Sequence, residues 1–387
     1  LEAYFSSFHL STLTGIALSD SLDMNGTLDG QVLFSNVMTR PAFTGDLLIT
    51  DLRFRNDTIG NVTIKASNSE SGNIHGDIAV SGKGNDITIS GDYFRQTTGG
   101  NDFDLAMNIR RLNLATLEGA SGGSISNATG NVTGQFDISG TVAKPVVVGQ
   151  LRLRQAGFNL TMLGNYFRIQ DETIAFNRQG VRFDRFRITD SANNAAIIDG
   201  MVYTENLPDL RFDLTVNARN FQALNKEKAA TAEDLYYGKL VFSSNMAIKG
   251  TAELPVVQGN ITVEDATDLT IVLPQQNPGV VDREGIVQFV DMDAPENDSL
   301  FLNSMAKYDS LNRSYLQGMD ISANVEIKKE AVFSMIVDQA NGDFVRMRGE
   351  GLLTGGIDPS GYVSLSGSYE IQEGTYKLTF NLLQREF

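Results

Sequence analysis

Few residues in this sequence have the types and spacing that catalysis, metal binding or nucleotide binding requires. The stretch Gly76–Lys83 is similar to a phosphate-binding loop, but it has one residue too many between its glycines and continues with Gly84 where Ser or Thr should stand. The stretch Gly349–Gly355 misses the dinucleotide-binding fingerprint by one residue and lies among alternating apolar and polar residues. We therefore interpret both stretches as glycine turns between strands.

An acidic run comes nearest to a metal site. Four of its carboxylates are spaced somewhat as in a calcium loop: Asp291, Asp293, Glu296 and Asp298. Such a loop needs glycine at its sixth position for a sharp turn, whereas this run has Glu296 there and Pro295 beside it. We interpret the run as part of a solvated polar excursion over residues 291–316, and we predict no metal site.

Catalytic side chains are equally scarce. The chain has two histidines, His9 and His75, and no cysteine. We therefore expect no disulfide, no thiolate nucleophile, no His-based triad and no multi-histidine metal site. Neighbouring carboxylates such as Asp171 and Glu172 fall in strand patterns, where adjacent side chains point to opposite faces and cannot work as an acid–base pair. The sequence predicts a protein that is not an enzyme and uses no cofactor.

The charge excludes a large class of partners. Asp and Glu outnumber Lys and Arg by 47 to 31 in 387 residues, which gives a net charge of −16. Nucleic-acid binding depends on a basic face that releases counterions, so we expect no nucleic-acid partner. No apolar run approaches the roughly 18 residues of a membrane helix, and nothing resembles a signal peptide. Because the chain opens on Leu1, we expect a fragment of a longer protein, with any anchor upstream.

Apolar and polar residues alternate along most of the chain, which is typical of half-buried antiparallel strands. One step breaks the alternation, from Phe183 to Phe186, and predicts a β-bulge or a tight bend. The polar residues 220–237 predict a helical excursion. We expect an all-β protein, and the apolar residues that we predict to share one face are Leu151, Leu153, Phe158, Leu160, Phe167, Ile169, Ile174, Phe176, Phe212, Leu214, Val216, Ile261, Val263, Leu269 and Ile271.

A sequence repeat organises these strands. The stretch GTVAKPVVVGQLRL, at Gly140–Leu153, returns as GTAELPVVQGNITV at Gly250–Val263. Proline fixes φ and glycine permits a bend, so each copy predicts a turn that leads into a strand. The defining pairs are Pro41 and Gly45, Pro145 and Gly149, Pro255 and Gly259, and the more widely spaced Pro359 and Gly367.

The period divides the chain into units of one continuous array. We predict the end of a preceding unit over residues 1–40, repeat units over 41–144, 145–254 and 255–358, and the start of a truncated unit over 359–387. No long amphipathic helix is available to cover the apolar sheet faces, and each Å² left wet costs about 25 cal/mol. An array that grows in one direction favours a sandwich-like or U-shaped solenoid over a closed barrel. The apolar stripe is then either a dry core or the lining of a ligand groove.

The repeat pattern GTxxxPxxxG-x-L-x-L resembles the TamB family, particularly its C-terminal region. Two further stretches carry the same resemblance: the run from Gly342 through IDPSGYVSLSGSYEIQEGTYKLTF, and YFRIQDETIAF at Tyr166–Phe176. The similarity covers most of the chain, is strongest over 130–290 and 340–387, and is absent from 291–316.

The resemblance implies an elongated, U-shaped antiparallel sheet with an apolar concave interior, called a β-taco or β-groove, as in the related AsmA-like and repeating-β-groove lipid-transfer proteins. It also implies a periplasmic protein whose full-length form has an N-terminal anchor in the inner membrane and contacts an Omp85-family outer-membrane protein through its C-terminal end. On that basis we expect a periplasm-spanning conduit that carries phospholipid between the two membranes.

Two other functions remain open from the sequence. The first is an assembly scaffold for outer-membrane and autotransporter proteins, in which an exposed sheet edge adds strands of the client by β-augmentation. The second is a structural β-solenoid of the adhesin type, which predicts a closed and dry interior. The three functions predict different contacts. A conduit binds acyl chains on its apolar face, an assembly scaffold binds its client along backbone edges, and a structural solenoid does neither.

Overall fold

A computed structural model describes residues 1–12, 24–35, 42–55, 57–68, 72–98, 101–205, 209–228, 235–273, 318–338, 341–380 and 383–386. The predicted excursion 291–316 and the repeat residue Pro41 lie outside these ranges. The described residues are almost all in β-strands, which confirms the all-β prediction. They form two compact units, Leu1–Leu214 and Thr215–Phe387, which we describe separately. The sequence-based division into repeat units stays a prediction.

Unit 1 is an antiparallel meander in which each strand from β1 to β11 pairs with the next one along the chain. Two 3-10 turns, Leu114–Leu117 and Gly119–Ser121, separate β7 from β8. The strands are β1 Glu2–His9, β2 Met24–Ser35, β3 Ala42–Phe54, β4 Asp57–Asn68, β5 Ile74–Gly82, β6 Asn85–Thr98, β7 Asn101–Asn113, β8 Ile125–Gly140, β9 Pro145–Leu160, β10 Asn165–Asn177, β11 Gly180–Thr189 and β12 Ala195–Tyr203.

The boundary between the units falls within β13, Arg211–Lys226. The predicted helical excursion over 220–237 is wrong for residues 220–226, because β13 continues through them with Phe221 and Leu224 buried. Unit 2 then contains β14 Tyr236–Thr251, β15 Pro255–Val263, β16 Asp268–Val272, β17 Asp320–Ile327, β18 Val332–Asp338, β19 Asp343–Ile357, β20 Val363–Phe380 and β21 Leu383–Glu386.

Two strand pairs of unit 2 correct the expectation of a purely antiparallel sheet. β15 pairs with β17 in parallel, and β16 pairs with β18 in parallel, whereas the other pairings of this unit are antiparallel. Parallel neighbours need a return connection of a dozen or more residues, because a hairpin would reverse the strand direction. Residues 273–319, between β16 and β17, supply that length.

The repeated Gly-Thr-x-x-x-Pro motif forms the same turn in both units. Gly140 and Gly250 have φ values of 95° and 93°, and a Cβ at either would lie 2.5 Å from a carbonyl oxygen four residues on. The hydroxyl of Thr141 accepts a bond from the Lys144 N–H at 3.1 Å, and Thr251 repeats this contact. The turn therefore lies before the proline, which is the first residue of β9 or β15, and not at the following glycine as predicted.

A row of β-bulges lets unit 1 keep its apolar side chains on one face. In β11, Arg185 has a φ of 49°, and Phe183 and Phe186 pair with Gly200 and Ile198, which are two apart and so share a face. This confirms the bulge predicted between the two phenylalanines. The same spacing, with a positive-φ residue in third place, recurs at Phe5-Ser6-Ser7-Phe8, Ile49-Thr50-Asp51-Leu52, Leu153-Arg154-Gln155-Ala156 and, in β13, Ala218-Arg219-Asn220-Phe221.

A side chain on the next strand satisfies the backbone at most of these bulges. The N–H of Arg185, which the bulge removes from the strand ladder, donates to Asp199 Oδ1 at 2.6 Å. Equivalent bonds run from Ser7 to Asp29, from Asp51 to Asn61 and from Asn220 to Ser243. The left-handed conformation is already unfavourable for these residues, and a backbone N–H without an acceptor would add to that cost. The side-chain acceptors therefore help fix where each strand bends.

Beyond the bulge in β13, unit 2 bends at two chain interruptions. β15 and β16 form one line broken at residues 264–267, and β17 and β18 form a second line broken at 328–331. The two breaks lie side by side, where Lys328 pairs with the nearly buried carboxylate of Glu264. The Thr267 hydroxyl accepts from the N–H of Val241 and donates to its carbonyl, at 3.1 and 2.9 Å.

The bulge contact predicts a measurable loss of stability. Substitution Asp199→Ala removes the acceptor of the Arg185 N–H and should lower the free energy of unfolding by about 1 kcal/mol. The matched control is Asp184→Ala, which removes an exposed carboxylate from the same bulged strand and should change stability by less than about 0.5 kcal/mol. Urea unfolding followed by circular dichroism gives both values, and equal losses would contradict this role for Asp199.

Candidate functional site

The predicted apolar residues of unit 1 lie on one face of its sheet, which we call the apolar face. Register places Phe158 opposite Phe167, with ring centroids 6.1 Å apart, and Leu151 opposite Ile174. Ile174 in turn lies opposite Phe183 on β11. The other predicted members in this region are Leu153 and Leu160 on β9, Ile169 and Phe176 on β10, and Phe212 and Leu214 at the start of β13; Val216, two residues further on, belongs to unit 2.

In unit 2 the apolar face is made of rows that run straight across three strand lines: β15 with β16, β17 with β18, and β19. The predicted residue Ile261 continues sideways into Val325 and Leu353, and Val263 continues into Ile327. Beyond the interruption, Leu269 continues into Phe333 and Met347, and Ile271 into Met335 and Val345. The sequence analysis did not name these partners on β17, β18 and β19, although their alternation carried the same signal.

Most of these side chains keep part of their surface in solvent. Of the fifteen apolar residues singled out from the sequence, Phe167, Ile169 and Val263 are buried and the other twelve are half-buried. A dry core of this size would bury nearly all of them, because each buried side chain contributes roughly 1.5–3 kcal/mol. Each unit thus carries a continuous apolar surface that remains accessible.

Two repeat glycines make room for large side chains on the apolar face. Phe136 on β8 and Phe176 on β10 meet across Gly149, with ring centroids 5.2 Å apart. A Cβ at Gly149 would lie 2.0 Å from the Gln135 carbonyl oxygen and 2.8 Å from the Phe136 ring. At Gly259 the same position would collide with the backbone before Met246 and with the Met246 sulfur.

The other two repeat glycines differ from this pattern. Gly367 on β20 has a φ of 136°, and a Cβ there would lie 2.2 Å from the Leu352 carbonyl oxygen. Gly45 has no neighbour closer than 3.6 Å and no unusual φ, so nothing around it requires glycine. Pro359 lies in the turn Asp358–Tyr362, where the Asp358 N–H bonds the Tyr362 carbonyl at 3.0 Å.

Two polar groups interrupt the apolar faces. Glu172 lies opposite Leu153, and burial raises the pKa of its carboxyl, although a backbone N–H of Arg187 partly offsets this. Tyr369 ends the Val263–Ile327 row in unit 2, where burial raises its pKa and, among the described residues, its hydroxyl oxygen is the buried side-chain atom without a hydrogen-bond partner. Alternation alone predicted that the side chains of Glu172 and its neighbour Asp171 point to opposite faces of the sheet. It gave no sign that Glu172 would be on the apolar face.

The described residues assemble no cluster of metal-binding side chains. They contain no group of three or more His, Asp or Glu side chains arranged to hold a metal ion. His75 lies beside Asp92 on the polar side of β5 and β6, with Nδ1 3.0 Å from the carboxylate. The nearby Ser90 hydroxyl donates to Asp77 and not to the imidazole, so no serine is activated there.

These features define a class: β-sheet proteins whose strands each present an accessible apolar face and that have no helical layer over it in the described residues. The model of the TamB C-terminal domain matches residues 9–182 and 184–387, and the chain belongs to this family. No curated protein and no solved structure gives a significant match. The family assigns the chain to the translocation and assembly module, a non-enzymatic system of envelope biogenesis that works with an Omp85-type outer-membrane partner.

Among the described residues, no helix has the length and apolar character needed to cross a membrane.

The repeat glycines allow a matched test. Gly149→Ala places a methyl group against the Gln135 carbonyl and the Phe136 ring, and should destabilise unit 1 by roughly 2–5 kcal/mol. Gly45→Ala changes the same repeat position, where the added methyl group would make only an ordinary van der Waals contact with Val32 at 3.6 Å, and should change stability by less than about 1 kcal/mol. Thermal unfolding of both variants measures the difference, and a Gly149→Ala protein as stable as the control would refute the close packing described above.

The unpartnered hydroxyl of Tyr369 gives a prediction of opposite sign. Tyr369→Phe should raise the free energy of unfolding by about 1 kcal/mol, because a buried hydroxyl without a partner is unfavourable by about that amount or more. Tyr362→Phe removes a hydroxyl from a side chain that is 46% exposed and should have no effect. Denaturant titration is sufficient, and a destabilised Tyr369→Phe protein would mean that the hydroxyl has a partner in solution.

Proposed function

We propose that this chain is part of a hydrophobic conduit that carries phospholipid between the inner and outer membranes across the periplasm. Acyl chains would lie along the apolar faces, and the headgroup would remain in water at the ends of the strands. The observation that carries the proposal is the half-burial of twelve apolar side chains, which lie on the apolar face of one unit or of the other with few polar interruptions. Accessible apolar patches larger than a few hundred Å² generally mark a binding surface.

The energetics of an acyl chain fit such a surface. Each CH₂ group withdrawn from water gains about 0.8 kcal/mol, so a lipid cannot cross an aqueous gap unaided. Rows of similar side chains recur across β14 to β20, and neighbouring strands are roughly 4.8 Å apart. A chain sliding across them exchanges one set of dispersion contacts for a nearly equal set, which keeps the barriers low.

Movement along this surface requires no cofactor, and direction would come from the partners. We propose that the full-length protein is anchored in the inner membrane and delivers lipid to the Omp85-type protein at the outer membrane. Family membership supports this arrangement. Phospholipid as cargo and the inner-membrane anchor are the parts that the experiment below must establish.

Photocrosslinking tests the conduit directly. A photoreactive amino acid at Leu153, Phe167, Phe176 or Leu214 should capture phospholipid in living cells, since all four lie on the apolar face of unit 1. Gln150, an exposed residue on the opposite face of β9, serves as the control and should capture none. Mass spectrometry of the adducts identifies the lipid. Equal capture at Gln150, or none at the four apolar positions, would end the conduit proposal.

A second candidate function is strand addition to a client protein. β20 pairs with β19, and within the described residues only its end, Lys377–Phe380, has a second partner, β21. Leu365 and Ile371 on this strand are 66% and 58% exposed. An unpaired edge beside exposed apolar residues favours β-augmentation by an outer-membrane protein. A photoreactive residue at Ser366 that captures protein, while the apolar positions capture no lipid, would favour this alternative.

The third alternative, an adhesin-type solenoid with a dry interior, has less support. Such an interior would bury the predicted apolar residues as completely as Phe167 and Ile169, which are 5% exposed. The partial exposure of their neighbours, including Leu151 and Ile174, argues against a closed core.

A further inference from the structure

A basic region stands out on the polar face of unit 1. Residues 150–190 contain seven arginines against four acidic residues, a net charge of +3 in a chain whose net charge is −16. Three of these arginines, Arg152, Arg154 and Arg168, line one cavity of about 950 Å³ on β8, β9 and β10. We call this cavity the arginine pocket. Neither the apolar face nor the proposed conduit accounts for it.

Aromatic packing holds the wall of the arginine pocket in place. The ring of Tyr166 lies across Gly157, where a Cβ would be 2.3 Å from the tyrosine oxygen. That oxygen is 2.9 Å from the Thr129 hydroxyl. The guanidinium of Arg168 stacks over the ring at 5.7 Å from its centroid and donates to Asn193 Oδ1 at 3.1 Å. Arg168 is therefore oriented by neutral groups, which leave its charge uncompensated.

The single carboxylate in the pocket is already engaged. Arg152 donates twice to Asp171, at 2.7 and 2.6 Å, and this contact, helped by the charges of Arg152 and Arg154, holds the pKa of the Asp171 carboxyl below its usual value. Within the described part of the chain, the exposed guanidinium of Arg154 makes no hydrogen bond. The pocket thus offers two arginine forks, from Arg154 and Arg168, that no protein carboxylate occupies.

Two guanidinium groups beside an aromatic surface suit one chemical group in particular; that of Arg168 donates from one nitrogen to Asn193 and keeps its other donors available. A phosphate diester or monoester accepts bidentate bonds from guanidinium, and the engaged Asp171 can still accept from hydroxyl groups next to the phosphate. The volume is also within the range of small-molecule sites. Arg168 is three residues from the start of β10, so it lies about 10 Å from the strand end.

We infer that the arginine pocket binds the phosphate of an anionic phospholipid headgroup. The inference goes beyond the proposed function. Arg154 is six residues from the end of β9, about 20 Å, so a lipid whose acyl chains lie on the apolar face cannot place its phosphate in this pocket. The lipid bound at the pocket is one in a membrane surface that the polar face of unit 1 contacts. Dispersion contacts on the apolar face cannot distinguish one headgroup from another. A zwitterionic lipid carries the same phosphate diester together with a cationic ammonium group, which the arginines repel. The pocket should therefore prefer anionic over zwitterionic lipid, most of it through Arg154 and Arg168.

Vesicle flotation with the 387-residue chain tests this inference. Vesicles of phosphatidylcholine alone are compared with vesicles that contain about 30% phosphatidylglycerol, at physiological salt. Arg154→Gln should weaken binding to the anionic vesicles about fivefold, and the double variant with Arg168→Gln about 25-fold, since each cation near an anionic surface contributes about that factor. Binding to phosphatidylcholine vesicles should not change.

The control is Arg182→Gln, which removes the same charge from the polar face of β11, outside the pocket. It should weaken binding less than twofold. A loss equal to that of Arg154→Gln would mean diffuse attraction and would overturn the pocket. A second result would also overturn the pocket as a lipid site. In that result an acidic peptide displaces the wild-type chain from vesicles and does not bind Arg154→Gln, while Arg154→Gln still binds the vesicles. Thermal unfolding of each variant checks that the fold is retained.

The two proposals fail in distinguishable ways. Lipid capture at Leu153 together with vesicle binding that ignores Arg154 keeps the conduit and overturns the arginine pocket. Vesicle binding that depends on Arg154, without lipid capture at any of the four apolar positions, keeps the pocket as a membrane-surface site and overturns the conduit.

Discussion

Every strand in this protein must keep its apolar side chains on one face of a sheet that no helical layer covers in the described residues. A bend that shifts the alternation by one residue would destroy this arrangement, because every later side chain would then point to the opposite face. Unit 1 solves the problem by inserting one left-handed residue, such as Arg185, so that Phe183 and Phe186 remain on the same face. Unit 2 reaches the same result with interruptions at 264–267 and 328–331.

Sequence alternation predicted the strands well because a half-buried strand places an apolar residue at every second position. The bulge at Phe183–Phe186 was readable for the same reason. The continuation of β13 was not, because the step from Ala218 to Phe221 has helical spacing and its surroundings are polar. The parallel pairing of β15 with β17 was also out of reach. It joins residues 64 positions apart, and no local pattern distinguishes parallel from antiparallel partners there.

The repeat shows how a correct motif can receive an incomplete physical explanation. Gly-Thr-x-x-x-Pro does make a turn, through the left-handed Gly140 and the Thr141 hydroxyl. Gly149 was predicted to bend the chain, yet it lies inside a strand and makes room for Phe136 and Phe176 to meet. That role depends on residues from two neighbouring strands, so sequence spacing within one strand could not reveal it. Gly45 holds the same position without such neighbours.

Under the two proposals, the opposite faces of unit 1 would contact lipid in different ways. Contacts on the apolar face are non-directional and nearly uniform, which favours movement but gives no discrimination among headgroups. Discrimination needs directional charged groups, and these would be costly on an apolar face, as the raised pKa of the Glu172 carboxyl indicates. Arg154 and Arg168 lie on the polar face, where water lowers that cost. Under the two proposals, one sheet would combine conduction on its apolar face with selective binding on its polar face, and the two contacts would involve separate lipid molecules.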